Sequence, residues 1–216
     1  MTLCVALLGG SFDPVHHGHV ALAGLFAKLL APDQLRIIPA GQPWQKNTLA
    51  ASAADRVAML ELAFDEAALP VLIDCQEIAR ASASYTIDTL RNVRAELGAA
   101  ASIVFLLGAD QLRQLDTWRE WRELFALAHL AVAARPGFSL DQASLAPALA
   151  HEITTRQGSL TQLRSTPCGH VFLSQTLAVD ISATQIRAAL QRREQPNQLI
   201  SPVVLDYIQQ HNLYKT

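Results

Sequence analysis

Short apolar runs recur along the chain at residues 3–8, 35–38, 71–73, 103–107, 130–133 and 171–173, and longer stretches with a different rhythm separate most of them. In those stretches Leu, Ala, Met and Phe return every three or four residues, the period of a helix with one buried face. Helices are predicted over 19–30, 53–64, 86–97 and 118–126. The runs at 3–8, 103–107 and 130–133 are almost wholly apolar, which leaves no face for water and marks strands covered on both sides. Strands that alternate with helices in this way form βαβ units on a parallel sheet. The prediction is therefore an α/β, Rossmann-like, doubly wound parallel sheet of five to six strands.

Two regions depart from this alternation. Residues 137–169 are the least regular, with Pro147, Gly158 and a polar stretch over 154–166, and are predicted to form a helix and loops on the surface. After Ile181 the chain turns helical again, breaks over 194–202 and ends in a helix over 203–211. We expect one α/β domain over 1–180 and a small helical extension over 181–216 packed on it. No internal repeat and no long polar linker separates two folding units.

Composition narrows the functional classes. The chain has 216 residues, 50% of them hydrophobic and 17% charged, enough to bury roughly 70% of the unfolded surface without a disulfide or metal staple. Its 17 basic and 19 acidic side chains leave a net charge of −2, which argues against a nucleic-acid surface and confines phosphate recognition to a local site. The apolar stretch 124–134 is too short to span a bilayer, which needs about 20 residues. Cys4, Cys75 and Cys168 are odd in number and show no C-x-x-C spacing, so neither a disulfide framework nor zinc is expected. The opening MTLCVALLGG lacks a basic leader and a cleavage pattern. A cytoplasmic protein is expected.

The chemistry concentrates after the first strand, where Gly9-Gly10-Ser11-Phe12-Asp13-Pro14-Val15-His16-His17-Gly18-His19 leads into an apolar helix. In an open α/β sheet, ligands bind beyond the carboxyl ends of the strands. Gly9 and Gly10 let backbone approach a ligand and can adopt conformations closed to other residues. His16 and His19 flank Gly18 at a helix N-terminus, where backbone N–H groups and the helix dipole already favour an anion. Imidazoles there add N–H donors and, when protonated, charge. Zinc would want further ligands, and His129, His151, His170 and His211 show no ligand spacing. A P-loop and a G-x-G-x-x-G turn are both absent. Further along, Ser182 and Gln185 form a capping box opening another helix; Thr184 and Arg187 are left unexplained by it and suit phosphate held from the opposite side.

The first of these segments resembles the G-x-F-D-P-x-H-x-G-H signature of the nucleotidylyltransferase superfamily, and the second, Asp180-Ile181-Ser182-Ala183-Thr184-Gln185-Ile186-Arg187, resembles its I-S-[SA]-T-x-I-R motif. With further matches spread from Gly9 to Tyr214, the chain is similar to the bacterial nicotinate-nucleotide adenylyltransferases. Lys46 stands where that family shows P-P-H-[KR], although Trp44 and Gln45 depart from the pattern; the resemblance implies contact with substrate phosphates. Ser84-Tyr85-Thr86-Ile87-Asp88-Thr89-Leu90 resembles [PS]-S-Y-T-x-x-T-L, which implies that Tyr85 and Thr86 line a nicotinate pocket through backbone amides. Read alone, the same segment is a helix start capped by Ser84. Gly108 and Asp110 resemble the family's ribose segment, Trp118 its pyridine-stacking residue, and Arg135-Pro136-Gly137 its R-P-G near the cleft. Trp121 is expected in the core.

The resemblance implies an enzyme that joins ATP and nicotinate mononucleotide into deamido-NAD and pyrophosphate by direct in-line attack, without a covalent intermediate. His16, His19, Lys46 and Arg187 are the catalytic candidates. Gly9, Gly10, Ser11, Phe12, Gly18, Tyr85, Thr86, Gly108, Asp110, Trp118, Arg135, Ile181, Ser182 and Thr184 are the substrate-binding ones. Mg2+ would be carried with ATP rather than held by a protein metal site, and the chain would act as a monomer or weak homo-oligomer. The alternatives are a sister adenylyl- or cytidylyltransferase acting on phosphopantetheine, an alcohol phosphate or flavin mononucleotide, and a nucleotide-binding sensor without turnover.

Overall fold

The structure, a computed structural model, describes residues 2–43, 49–134, 145–174 and 181–215. Six strands form one sheet: β1 (Cys4–Gly10), β2 (Gln34–Pro39), β3 (Leu72–Ile73), β4 (Ser102–Gly108), β5 (His129–Ala133) and β6 (Val171–Ser174). Their order is β3-β2-β1-β4-β5-β6 and every pairing is parallel. The chain walks outward from β1 to β3, then returns to pair β4 with β1 and walks the other way. That reversal opens a crevice at the carboxyl ends of β1 and β4.

Both sheet faces are covered, which is why the central strands carry so few polar residues. Cys4, Ala6 and Leu8 of β1 enter one apolar cluster with Val104 and Leu106 of β4, and Val5 and Leu7 enter a second with Ile103, Phe105 and Leu107. The first cluster is completed by α1 (His17–Leu30) and α2 (Ala53–Glu66), and the second by α3 (Thr86–Leu97).

The strand runs read from the sequence all become strands, and three of the four predicted helices form. The fourth does not. Beyond the short α4 (Ala109–Arg113) and a 3₁₀ turn at Leu115–Thr117, Trp118 is extended, Glu120 is left-handed at φ 50°, and a second 3₁₀ turn precedes the four-residue α5 (Leu124–Leu127). Trp121, Leu124 and Phe125 are buried as a helical stripe would be, so the apolar spacing is real but broken turns satisfy it.

Within 145–169 the structure contains two helices rather than one, α6 (Pro147–Thr155) and α7 (Leu160–Ser165). They serve opposite faces: Leu149 and Ile153 join the second cluster and Leu163 the first. The last helices are α8 (Ala183–Gln191) and α9 (Pro202–Gln210). Ile186, Ile200, Val204, Leu205, Ile208 and Tyr214 are buried in the first cluster with α1 and α2. Among the described residues no helix is long and apolar enough to cross a membrane.

Candidate functional site at the carboxyl edge of the sheet

A cavity of about 440 Å³ opens at the crevice. Gly9, Gly10 and Ser11 line it from the end of β1, and Gly108, Asp110 and Gln111 from the end of β4 and the start of α4. The opening of α1 contributes His16, Gly18 and His19, and the opening of α8 contributes Ile181, Ser182 and Thr184. Two helix N-termini more than 160 positions apart in sequence, as the numbers 18 and 182 show, thus face the same space. Gly18 sits between them: a Cβ there would lie 3.0 Å from His16 Nδ1 and 3.8 Å from the Ile181 side chain.

Local chemistry explains each start. His16 is the extended residue preceding α1, and its backbone N–H donates to His19 Nδ1 at 3.2 Å. An accepting nitrogen carries no proton, so Nε2 is the donor of the His19 ring. The two imidazoles stack at 3.7 Å between centroids, and the Phe12 and His19 rings meet edge to face at 4.8 Å. At α8 the capping box read from the sequence is present. Ser182 Oγ accepts from the Gln185 N–H, and Gln185 Oε1 accepts from the Ser182 N–H, each at 3.2 Å.

Four expectations change here. Gly9 and Gly10 do not use positive φ angles; that conformation falls on Phe12, at φ 46°, whose ring fills the space where a Cβ on Gly10 would lie 3.0 Å away. Phe12 is fully buried and lies outside the cavity lining, because its ring is what holds the turn. Tyr85 is also outside the lining; its ring packs 4.9 Å from the Arg119 guanidinium, while the adjacent Thr86 does reach the cavity. Ser84 does not cap α3, whose preceding residue is Tyr85. Its hydroxyl instead accepts the Gly41 and Gln42 N–H groups at 3.1 and 3.2 Å. That clamps the loop after β2 so closely that a Cβ on Gly41 would lie 2.1 Å from the Glu77 carbonyl.

Arg187 stands one layer behind the wall. Its Nη1 donates to the Asp13 carbonyl at 2.6 Å and its Nη2 to Thr184 Oγ1 at 3.2 Å, so one guanidinium ties the two motifs together. Trp118 lines the cavity with its ring edge-on to Phe105 at 6.3 Å, and its buried Nε1 has no partner among the described residues. Trp121 is in the core. Lys46 and Arg135, with Trp44 and Gln45, lie outside the described residues.

Several residues that sequence reading passed over belong to this region. Glu77 and Thr89 line the cavity, with Thr89 Oγ1 donating to Glu77 Oε1 at 2.6 Å; burial pushes the Glu77 carboxyl above its ordinary range, against the pull of that hydrogen bond. Arg56 is 1% exposed and donates from Nη1 to the Ser11 carbonyl at 2.9 Å. A signal for Arg56 exists in the sequence: it shares the apolar stripe of Met59, Leu60 and Ala63 on α2, where a charge has no place unless it holds something. Among the described residues no three His, Cys, Asp or Glu side chains converge on a point that could hold a metal ion.

Burial also decides the charge of His16. It is 7% exposed, and loss of solvent lowers its imidazole to about 4, so in the free protein it is a neutral hydrogen-bonding group rather than a cation. His129, fully buried at the start of β5, is likewise lowered to about 4 by burial; its Nε2 pairs with the Thr166 carbonyl at 2.8 Å and its Nδ1 accepts the His170 N–H at 3.0 Å. Both rings bind protons more tightly in the unfolded chain, where the ordinary value is 6.5. Stability is therefore complete above pH 6.5 and is lost as pH falls from there towards about 4. By pH 5 the loss is about 1–2 kcal/mol per histidine, or roughly 5–10 °C in Tm for the pair. Thermal melts at pH 7 and pH 5 test this, and a Tm flat across that range contradicts two buried neutral imidazoles.

The chain is similar to known proteins. The family described as cytidylyltransferase-like matches residues 7–189. A protein of Herminiimonas arsenicoxydans named “probable nicotinate-nucleotide adenylyltransferase” is 59% identical over 216 residues, covering 100% of this chain and 99% of that one. One of the same name from Chromobacterium violaceum is 46% identical over the full length of both chains. Among solved structures, the Plasmodium falciparum nicotinic acid mononucleotide adenylyltransferase complexed with NaAD superposes with a TM-score of 0.74 over 98% of this chain and 97% of that one, at 19% identity, a likeness of fold.

Proposed function

This chain belongs to the cytidylyltransferase-like family and, within it, to the nicotinate-nucleotide adenylyltransferases, and we propose that its cavity joins ATP to nicotinate mononucleotide by in-line attack at the α-phosphorus. The observation that carries this reading is the convergence of the α1 and α8 N-termini, with His16, His19 and Thr184, on one cavity at the sheet's switch point. The nucleophile is a phosphate oxygen of the mononucleotide, already ionised at neutral pH, so no general base is needed. It forms the new P–O bond to the α-phosphorus while the bond to the β-phosphate oxygen breaks and pyrophosphate leaves. What the protein must supply is alignment and a positive potential against the charge on the departing group.

The roles follow from position. Gly9, Gly10 and Gly18 let phosphate oxygens approach backbone, His16 and His19 offer ring N–H groups, and Ser182 and Thr184 close the triphosphate from the α8 side. Arg187 adds positive charge behind Thr184. Asp110, at the start of α4, suits the ribose because a carboxylate accepts from two hydroxyls. Lys46 and Arg135 are assigned phosphate and cleft contacts by resemblance alone. Mg2+ carried on ATP would neutralise phosphate charge, and the chain's own part would be to hold the phosphates that carry it.

Release of pyrophosphate from ATP and magnesium is the test, run with nicotinate mononucleotide and its amide side by side. Release that depends on a mononucleotide supports the reading, and none with either sinks it. The same assay checks Trp118. Replacing Trp118 with alanine removes the ring placed for the pyridinium, so KM for the mononucleotide rises about tenfold, the size of a cation–π contact with its burial, while KM for ATP stays level. Equal damage to both constants would take the pyridine away from Trp118.

A further inference from the structure

Asp13, three residues ahead of His16, is 3% exposed, and its carboxylate is surrounded by donors. The N–H groups of Ala50 and Ala51 donate to its two oxygens at 2.8 and 3.0 Å, and the phenol of Tyr214 donates to Oδ1 at 2.8 Å, in a bond spanning 201 positions. On the other side of the same residue, its carbonyl receives Arg187 Nη1. Tyr214 is itself 8% exposed and held at φ 61°, and Asn212 at φ 52°, so the backbone after α9 takes two left-handed turns to bring the ring inward. Burial and the neighbouring Asp13 carboxylate both raise the phenol's pKa, so it stays a protonated donor.

We propose that Tyr214 is a positioning residue for adenylyl transfer: its hydroxyl fixes Asp13, and Asp13 in turn sets the backbone loop that leads to His16 and the carbonyl that orients Arg187 beside Thr184. The inference rests on the adenylyltransferase reading for its catalytic consequence and on the hydrogen bonds themselves for its geometry. Tyr214 is not among the residues that line the cavity, and its hydroxyl donates to Asp13, so its effect passes through Asp13. That geometry separates the two substrates. The triphosphate side of the cavity depends on the loop and on Arg187, while the pyridine side, built by Trp118 and Thr86, does not.

Tyr214→Phe keeps the ring and removes only the hydroxyl. With the full-length protein well below its Tm, kcat is expected to fall and the dissociation constant for ATP, measured by calorimetry, to rise, each by about fivefold, the worth of one buried hydrogen bond. KM for nicotinate mononucleotide stays level, and the number of ATP sites per molecule is unchanged. Tyr207→Phe is the control: that phenol, on α9, donates to Asp55 rather than to Asp13, so the variant should match the parent in kcat and ATP binding. Three results overturn the proposal: wild-type kcat and ATP binding in Tyr214→Phe; a kcat loss matched by a loss of ATP sites, which is unfolding; or equal losses in Tyr207→Phe. If the parent itself releases no pyrophosphate, the functional reading fails separately, and the ATP dissociation constants of parent and Tyr214→Phe still decide whether Asp13 is set from Tyr214.

Discussion

Replacing His19 with alanine is expected to lower kcat about 10²–10³-fold, the loss typical of one donor aimed at charge that develops in the transition state. The size of the expected effect rests on how this ring is held. His19 Nδ1 is occupied by the His16 N–H, which directs the ring's donor capacity to Nε2. The ring is braced by His16 at 3.7 Å and by Phe12, edge to face, at 4.8 Å, so little rotamer freedom would remain to be lost on binding a phosphate. The folded state has less at stake. Loss of the hydrogen bond from the His16 N–H, at a partly exposed helix start, costs about 1 kcal/mol, or roughly 2–4 °C in Tm. Steady-state kinetics with a thermal melt separate the two effects. Near-wild-type turnover would strike His19 from the chemistry, and a collapse of Tm in proportion to the activity would make it a structural residue. His19→Asn, which can keep an N–H donor but not the stack, should fall between the two.

The strands were legible in the sequence because a parallel sheet buries both faces and leaves unbroken apolar runs, and β1, β4 and β5 show it most plainly. The segment around Trp118 was misread because Trp118, Trp121, Leu124 and Phe125 have helical spacing, whereas the left-handed Glu120 turns the chain between them; spacing reports which side chains are buried and is silent on the backbone that delivers them. The two helix starts at His16–His19 and Ser182–Thr184, which line the cavity, were legible because a helix start is local in sequence. What joins them was not. Asp13, Arg56 and Tyr214 meet only through tertiary contacts, and Ser84 spends its hydroxyl on a loop some forty residues away rather than on the helix it precedes. No local pattern encodes such a bond.

Arg187 carries the second large effect, because the convergence of the two helix starts runs through it. Its guanidinium makes a fork, with one nitrogen on the Asp13 carbonyl and another on Thr184 Oγ1. Truncation to alanine removes the cation behind the triphosphate and also frees the loop that carries His16, so kcat/KM for ATP should fall by about 10²-fold or more. The mononucleotide constant should change far less, since Trp118 and Thr86 are positioned by other elements. Arg187→Lys separates charge from fork. A lysine restores the positive charge but offers a single point of donation where two acceptors wait, so it cannot hold both the carbonyl and the hydroxyl in their present relation. If the fork matters, Arg187→Lys recovers only a minor part of the lost activity; if Arg187 acts by charge alone, it recovers nearly all of it and the loop needs no tie. A full-activity alanine variant would mean that the α1 and α8 starts hold the triphosphate without their bridge, and the guanidinium would then have no place in the reaction.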